Sequence, residues 1–236
     1  MMDSPKHEAY ENGGTIVNRY ARIAIAVLAS VGLLASASAC GTSQDGAGSA
    51  HGAIPVVSSI NQWGTLAEQL GGSGVQVTSI INSTNVDAHD YEPTTSDIAK
   101  LQKARIVIVN GAGYDSWAVK AAQSAKSQVI NAAEIGGVKD GGNPHVWFSA
   151  AVRKAVAQAI TRAYEGTRPD GKADFDKLNQ QWRSKEDEVA RKITETKRKA
   201  DGEAYAATES VAEYLAGDLG LKDATPTGYT LSLIHI

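Results

Sequence analysis

Short apolar runs alternate with amphipathic segments through the middle of the chain. The segments between them have the apolar spacing of helices, so the pattern predicts alternating strands and helices. The third run, RIVIVNG, is continuously apolar, as is typical of a strand buried on both faces of a parallel sheet. We therefore predict a doubly wound α/β lobe over residues 53–147. Its four strands are predicted at 53–60, 75–81, 105–111 and 127–133.

The second half of the chain has a longer helical pattern. Residues 173–199 keep one apolar stripe, and a break at 166–172 separates them from a shorter helical segment. At 1.5 Å per residue this helix would span roughly 40 Å, so we interpret residues 148–201 as a rigid helical connector. A coiled-coil arm is the alternative, although the stripe is too short and irregular for sustained heptads. The stripe comprises Phe175, Leu178, Trp182, Val189 and Ile193, and the i,i+4 charge pairs are Asp187 with Arg191, Glu188 with Lys192, and Glu195 with Lys199.

Residues 202–236 carry the pattern of a single β-α unit. EAYAATES is strand-like, and VAEYLAGDLGL has helical spacing. We therefore predict that the α/β lobe and the long connecting helix are followed by the start of a second, incomplete α/β lobe.

Composition narrows the class of protein. The 236 residues are 42% hydrophobic and 21% charged with a net charge of −3, which suits a soluble globular protein and gives no electrostatic footprint for nucleic acid. A single cysteine excludes an internal disulfide framework and a four-cysteine zinc site.

The one cysteine follows a secretory pattern. Arg19 and Arg22 precede the run IAIAVLASVGLLASASAC, which ends in small residues at Cys40. This layout is that of a secretory signal, and it resembles the lipobox of bacterial lipoproteins. We predict a signal peptide at 1–39, and a lipidated Cys40 that begins a flexible tether at 40–52. The alternative is a transmembrane anchor, but the run is short and rich in Ala and Ser.

Two histidines follow predicted strands. His89 lies in the loop after the second strand, and His145 follows the fourth. Ligands of doubly wound sheets bind beyond the carboxyl ends of the strands, so both imidazoles can converge there if a third donor joins them. For either histidine alone, the ordinary alternative is a solvated or hydrogen-bonded side chain.

The His89 loop leads into a predicted helix. Thr94 can cap that helix, with Asp97 placed for a near capping box. The stretch VNGAGYDS after the third strand superficially suggests dinucleotide binding, but Ser116 stands where the third glycine of that motif would be. We interpret its two glycines as turn residues.

Four stretches in order resemble a known family. DAHDYEPTTSDIAKL, NGAGYDSW, NPHVWFS and ATESVAEYLAGDLGLKDATPTGY look like the metal-binding (zinc/manganese) substrate-binding lipoproteins of bacterial ABC importers. The resemblance implies two α/β lobes joined by one long helix, with a metal held between the lobes by four side chains. His89 then matches the first ligand, His145 the second and Glu209 the third. Glu209 has the alternative that its segment merely caps a helix through Thr208 or Ser210.

The fourth ligand of the family is an aspartate late in the second lobe, and this chain ends before that motif. The closing LSLIHI departs from the family pattern, so we interpret the sequence as a truncated reading frame with a non-native tail, in which His235 is not a ligand. Such a chain is expected to bind metal weakly, if at all.

The resemblance implies a non-enzymatic solute-binding protein. We expect a monomer, anchored outside the cytoplasm by lipid on Cys40, that captures one Zn²⁺ or Mn²⁺ ion and delivers it to an ABC permease. Imidazoles and carboxylates suit either ion, so the metal stays open. Asp87, Asp90 and Glu92 are candidates to accept the second N–H of a ligand imidazole. The alternatives are a metal-stabilised surface adhesin and a metal-dependent hydrolase, though signatures such as H-E-x-x-H and G-x-S-x-G are absent from the sequence.

Overall fold

The computed structural model of the protein describes residues 52–83, 86, 88 and 90–226. The predictions for the signal peptide, for Cys40, for Asp87 and His89, and for the tail LSLIHI therefore lie outside the described residues. The strands are β1 (Ile54–Ile60), β2 (Val75–Ile81), β3 (Ile106–Val109), β4 (Gln128–Asn131), β5 (Ala204–Tyr205) and β6 (Lys222–Asp223). The helices are α1 (Asn61–Gly71), α2 (Thr95–Lys103), α3 (Ser116–Gln123), α4 (Ala132–Ile135), α5 (Ala150–Thr167), α6 (Lys172–Ala200) and α7 (Glu213–Asp218).

The first four strands form one parallel sheet in the order β2-β1-β3-β4. The chain goes from β1 outward to β2, then returns past β1 to β3 and β4. This reversal places a switch point between β1 and β3, where loops diverge and leave a crevice beyond the carboxyl ends. The predicted doubly wound α/β lobe is confirmed.

Strand β3 is buried on both faces, as its apolar run predicted. Ile106 and Ile108 belong to the core cluster formed with α1, α5 and the start of α6. Val107 and Val109 belong to the opposite cluster with α2 and α3. Successive residues of a strand point to opposite faces, so a four-residue apolar strand supplies both cores.

On one face of the sheet, Tyr164 of α5 contacts both α6 and α1. Its ring is fully buried against Phe175 of α6, with ring centroids 5.3 Å apart, and its hydroxyl donates to the Ala67 carbonyl of α1 at 3.0 Å. Burial raises the pKa of Tyr164 well above its ordinary value. The hydroxyl thus stays protonated, and its hydrogen bond links α5 to α1.

Helix α2 begins with the predicted capping box. The Thr94 hydroxyl accepts from the Asp97 amide at 3.2 Å, and the Asp97 carboxylate accepts from the Thr94 amide at 3.0 Å. Burial opposes ionisation of Asp97, but hydrogen bonds from Thr94, Tyr91 and Lys100 outweigh it and hold the pKa of this carboxyl far below its ordinary value. The cap fixes where the helix starts after the His89 loop.

The long helix α6 spans 29 residues, close to the predicted connector. The predicted stripe is only partly buried: Phe175 and Trp182 lie in the core, whereas Val189 is 43% exposed. Helices α1 and α5 pack against α6. The stripe is buried only in the first part of the helix, so its apolar spacing overstated the buried length.

The polar contacts of α6 differ from the predicted pairs. Glu188 and Lys192 do pair, at 3.3 Å, but Asp187 bonds to Lys154 of α5 at 2.7 Å. The sequence did not reveal that the buried Glu186 carboxylate accepts hydrogen bonds on both of its oxygens from the Arg153 guanidinium of α5. These inter-helix contacts fix α5 on α6.

Beyond α6, the chain forms a small β-α-β unit. Strands β5 and β6 are parallel and α7 lies between them in sequence. The predicted strand over EAYAATES is limited to Ala204–Tyr205, and the remaining residues form a loop that contains Glu209. Within the described part of the chain, none of the helices combines the length and the apolar character needed to cross a membrane.

Candidate metal site

The loop after β3 forms a tight turn. Gly111, Ala112 and Gly113 have φ angles of 81°, 55° and 83°. The carboxylate of Asp115, which is buried, accepts from the backbone amides of Asn110 at 2.7 Å and Gly111 at 2.8 Å. Burial raises the pKa of Asp115. These glycines supply left-handed backbone to the turn, as the sequence interpretation expected.

The side chain of Asn110 connects this loop with the next one. It is fully buried, accepts from Trp63 Nε1 of α1 at 2.9 Å, and donates to the Pro144 carbonyl at 2.9 Å. Pro144 immediately precedes His145. The position of His145 is therefore fixed from the carboxyl end of β3, next to the switch point of the sheet.

His145 lies in an aromatic pocket. It is 4% exposed, with ring centroids 6.0 Å from Tyr114 and 5.2 Å from Trp147, both edge-on. Its Nδ1 is 2.8 Å from the side-chain oxygen of Asn143. These contacts leave little freedom to the ring.

The structure brings His145 and Glu209 together. His145 Nε2 lies 3.4 Å from Glu209 Oε1, although the two residues are 64 positions apart in the sequence. The Glu209 side chain is 40% exposed and lines a cavity of about 630 Å³ between the 141–144 loop and the β5-α7-β6 unit. The helix-cap alternative for its segment does not hold, because α7 starts from Ala212 with no side-chain cap.

This separation suits two ligands of one ion. Zn²⁺ binds nitrogen and oxygen at about 2.0–2.1 Å in tetrahedral sites, which sets neighbouring ligand atoms about 3.3 Å apart. An imidazole nitrogen and a carboxylate oxygen at 3.4 Å have that spacing. A hydrogen bond donated by an Nε2–H of the imidazole to the carboxylate is another arrangement that this distance allows.

The remaining predicted site residues are distributed as follows. Asp90 and Glu92 are exposed, and their assignment as outer hydrogen-bond acceptors stays a prediction. The assignment of His89 as a metal ligand also stays a prediction. Among the described residues, which leave out His89, no group of three or more His, Cys, Asp or Glu side chains is close enough to hold a metal. The acceptor that the structure shows on the second nitrogen of His145 is Asn143.

Sequence reasoning missed Asn143, Asn110 and Asp115. Asn143 stands two residues before the histidine in NPH, which was its only local signal. Asn110 acts through a hydrogen bond to Pro144, which is 34 residues further along the chain. Asp115 acts by accepting from backbone amides. Residue type alone therefore does not mark either of them.

The sequence profile described as ZnuA, zinc-uptake complex component A, periplasmic, matches residues 56–232. That match covers most of the chain. The chain belongs to this family. The family is one of solute-binding proteins, not of enzymes, and the comparisons favour solute binding over the adhesin and hydrolase alternatives.

Curated relatives support the assignment at modest identity. The chain is 24% identical over 166 residues to the high-affinity zinc uptake system protein ZnuA of Bacillus subtilis, a match that covers 61% of this chain and 52% of that protein. It is 27% identical over 154 residues to the manganese-binding lipoprotein MntA of Halalkalibacterium halodurans, covering 62% and 49%. The chain thus spans about half the length of the curated relatives it matches.

Solved structures show the same fold. The metal-dependent lipoprotein YcdH of Bacillus subtilis matches with a TM-score of 0.68 at 25% identity, covering 74% of this chain and 67% of that one. Zn(II)-bound AdcA of Streptococcus pneumoniae matches with a TM-score of 0.65 at 22% identity, covering 75% and 40%. The α/β architecture predicted from the sequence is that of these proteins.

Proposed function

We propose that the protein is an extracytoplasmic solute-binding protein that captures a divalent transition metal ion, Zn²⁺ or Mn²⁺, and delivers it to an ABC-type permease. The observation that carries this proposal is the 3.4 Å approach of His145 Nε2 and Glu209 Oε1 at the carboxyl edge of the sheet. Membership of the family and the zinc and manganese named for its relatives support the same function.

In the proposed site, His145 and Glu209 hold the ion together with His89. The two side chains differ in exposure, since the imidazole is 5% exposed and the carboxylate 40%. The imidazole would thus be the fixed ligand, held by the β3 and 141–144 loops. The carboxylate, on the loop before α7, would coordinate the ion from the second lobe and neutralise part of its charge.

The wider assignment belongs to the same proposal. A signal peptide at 1–39 and lipid on Cys40 would place the monomeric protein at the outer face of the cell membrane, tethered through residues 40–52. Residues 53–147 would form the first lobe, 148–201 the connector and 202–236 the beginning of the second lobe. The ion itself stays open between zinc and manganese, because one ligand set serves both.

A metal titration of the full chain tests the function. The change is His145→Ala, and we expect it to weaken Zn²⁺ binding by at least about tenfold, since even outer hydrogen-bond partners of metal ligands contribute 10–100-fold. Competition against a chromophoric chelator measures the affinity for Zn²⁺ and, in parallel, for Mn²⁺.

His51→Ala is the matched control, because this histidine lies in the predicted tether. It should bind as the wild type does. Equal affinity of the wild type and His145→Ala for both ions would contradict the proposal.

A further inference from the structure

Asn143 contacts both parts of the proposed site. Its side-chain oxygen lies 2.8 Å from His145 Nδ1 and accepts from the His145 amide at 3.0 Å. Its side-chain nitrogen donates to the Ser210 carbonyl at 2.8 Å and to Glu213 Oε2 at 2.7 Å. One amide group therefore bridges the histidine and the segment that carries Glu209.

These contacts determine which way the amide faces. Ser210 offers a carbonyl and Glu213 a carboxylate, and both can only accept, so the nitrogen of Asn143 must face them. The oxygen then faces His145, where the backbone N–H is a donor as well. An amide oxygen can only accept, so the proton of a neutral His145 ring resides on Nδ1.

The tautomer decides where the ring can bind an ion. With the proton on Nδ1, the lone pair of the neutral imidazole lies on Nε2, the atom that is 3.4 Å from Glu209 Oε1. The opposite tautomer would direct a proton toward the carboxylate and close that position to a metal.

The same residue also holds the second segment in place. Besides the two bonds from its amide nitrogen, the backbone carbonyl of Asn143 accepts from the Tyr214 hydroxyl at 2.8 Å. Three hydrogen bonds thus connect Asn143 with residues 210–214, directly after Glu209.

We propose that Asn143 is a positioning residue that presets the Nδ1–H tautomer of His145 and, through the same amide, fixes the segment carrying Glu209. This inference rests on the proposed function for its consequence in metal binding. Its tautomer component is a property of the metal-free protein and can be measured separately.

The test compares Asn143→Ala and Asn143→Asp in the full chain. Nitrogen-15 NMR of the histidine rings in the metal-free protein, at a pH where they are neutral, reports which nitrogen carries the proton. The chain has five histidines, and the signal lost in His145→Ala assigns the relevant ring. We expect Nδ1–H in the wild type and in Asn143→Asp, whose carboxylate still accepts, and a mixture of tautomers in Asn143→Ala.

A Zn²⁺ titration measures the second component. Asn143→Ala should bind about 10–100-fold more weakly than the wild type, as is typical when an outer partner of a ligand is removed. Asn143→Asp should also bind more weakly in spite of its correct tautomer, because it loses both donors and sets a carboxylate beside Glu213. Asn179→Ala is the matched control: its amide donates to Thr161 Oγ1 on α5, and both readouts should stay at wild-type values.

The two measurements separate the tautomer role of Asn143, its bridging role and the proposed function. An Nε2–H tautomer in the wild type, or an unchanged tautomer in Asn143→Ala, would overturn the proposal. Wild-type affinity in Asn143→Asp would overturn the bridging role alone. If the tautomer changes as expected while His145→Ala binds Zn²⁺ as well as the wild type, the proposed function fails and the structural role of Asn143 stands.

Discussion

Replacement of Asn110 by alanine tests how the fold positions the site. Asn110 is fully buried at the end of β3 and joins Trp63 of α1 to Pro144, which precedes His145. Asn110→Ala removes both links at once while leaving the backbone of the turn in place. We expect a loss of global stability together with a displaced 143–145 loop.

The magnitude follows from the groups that lose their partners. Trp63 is 1% exposed, so its indole N–H would be left buried without an acceptor, which costs about 1–3 kcal/mol. Pro144 is half-buried and its carbonyl keeps the Val146 amide as a donor at 2.8 Å, so loss of the bond from Asn110 contributes only about 0.5–1 kcal/mol. The expected decrease in the free energy of unfolding is therefore about 1.5–4 kcal/mol.

Urea denaturation followed by tryptophan fluorescence measures this decrease. Asn179→Ala serves as the control, because its amide makes one hydrogen bond, to Thr161, at the half-buried junction of α5 and α6; we expect it to lose about 1 kcal/mol. If the free energy of unfolding falls no further in Asn110→Ala than in Asn179→Ala, and both variants have the same slope of that free energy against urea concentration, the claim that Asn110 anchors the His145 loop is refuted.

Three further predictions concern the supports of the lobe. Glu186→Ala leaves the Arg153 guanidinium without its carboxylate, and we expect the free energy of unfolding to fall by about 2–4 kcal/mol. This is less than the roughly 3–5 kcal/mol of a fully buried pair, because Arg153 is 21% exposed; chemical denaturation measures the decrease. Tyr164→Phe deletes only the hydroxyl bond to the Ala67 carbonyl, and denaturation should show a loss of about 1 kcal/mol with an unchanged fold by circular dichroism. The pKa of Asp97 is lower in the folded than in the unfolded chain, so its contribution is complete above about pH 4 and declines as the pH falls further; Asp97→Asn should flatten this acid limb in a pH series of melting temperatures, and an unchanged limb would contradict the assignment.

The first lobe was predictable because its signals are local and repeated. The apolar run over β3 and the Thr94–Asp97 capping box each report on structure within a few residues, and both are present. Parallel pairing then follows from the alternation of strands and helices.

What the sequence did not show depends on contacts between distant residues. The apolar spacing at Val189 is the same as at Trp182, but Trp182 is buried and Val189 is exposed. The Arg153–Glu186 pair joins residues 33 apart, and charges on exposed helix faces look identical before packing is known.

The candidate site shows the same division. His145 was selected by its place after the fourth predicted strand, Glu209 by the family resemblance, and the structure brings them to 3.4 Å. Neither source pointed to Asn143 as the group that orients the imidazole, because its role depends on the acceptors at Ser210 and Glu213, about 70 residues away. The place of His89 in the site stays a prediction.

The most direct test of the shared metal site is X-ray absorption spectroscopy at the zinc edge on the full chain with substoichiometric Zn²⁺. We expect two imidazole nitrogens at about 2.0–2.1 Å, from His89 and His145, together with carboxylate oxygen from Glu209. In His145→Ala the imidazole count should fall to one. Zinc bound with no imidazole in the wild type, or with the same imidazole count in the variant, would contradict the claim that these side chains hold one ion.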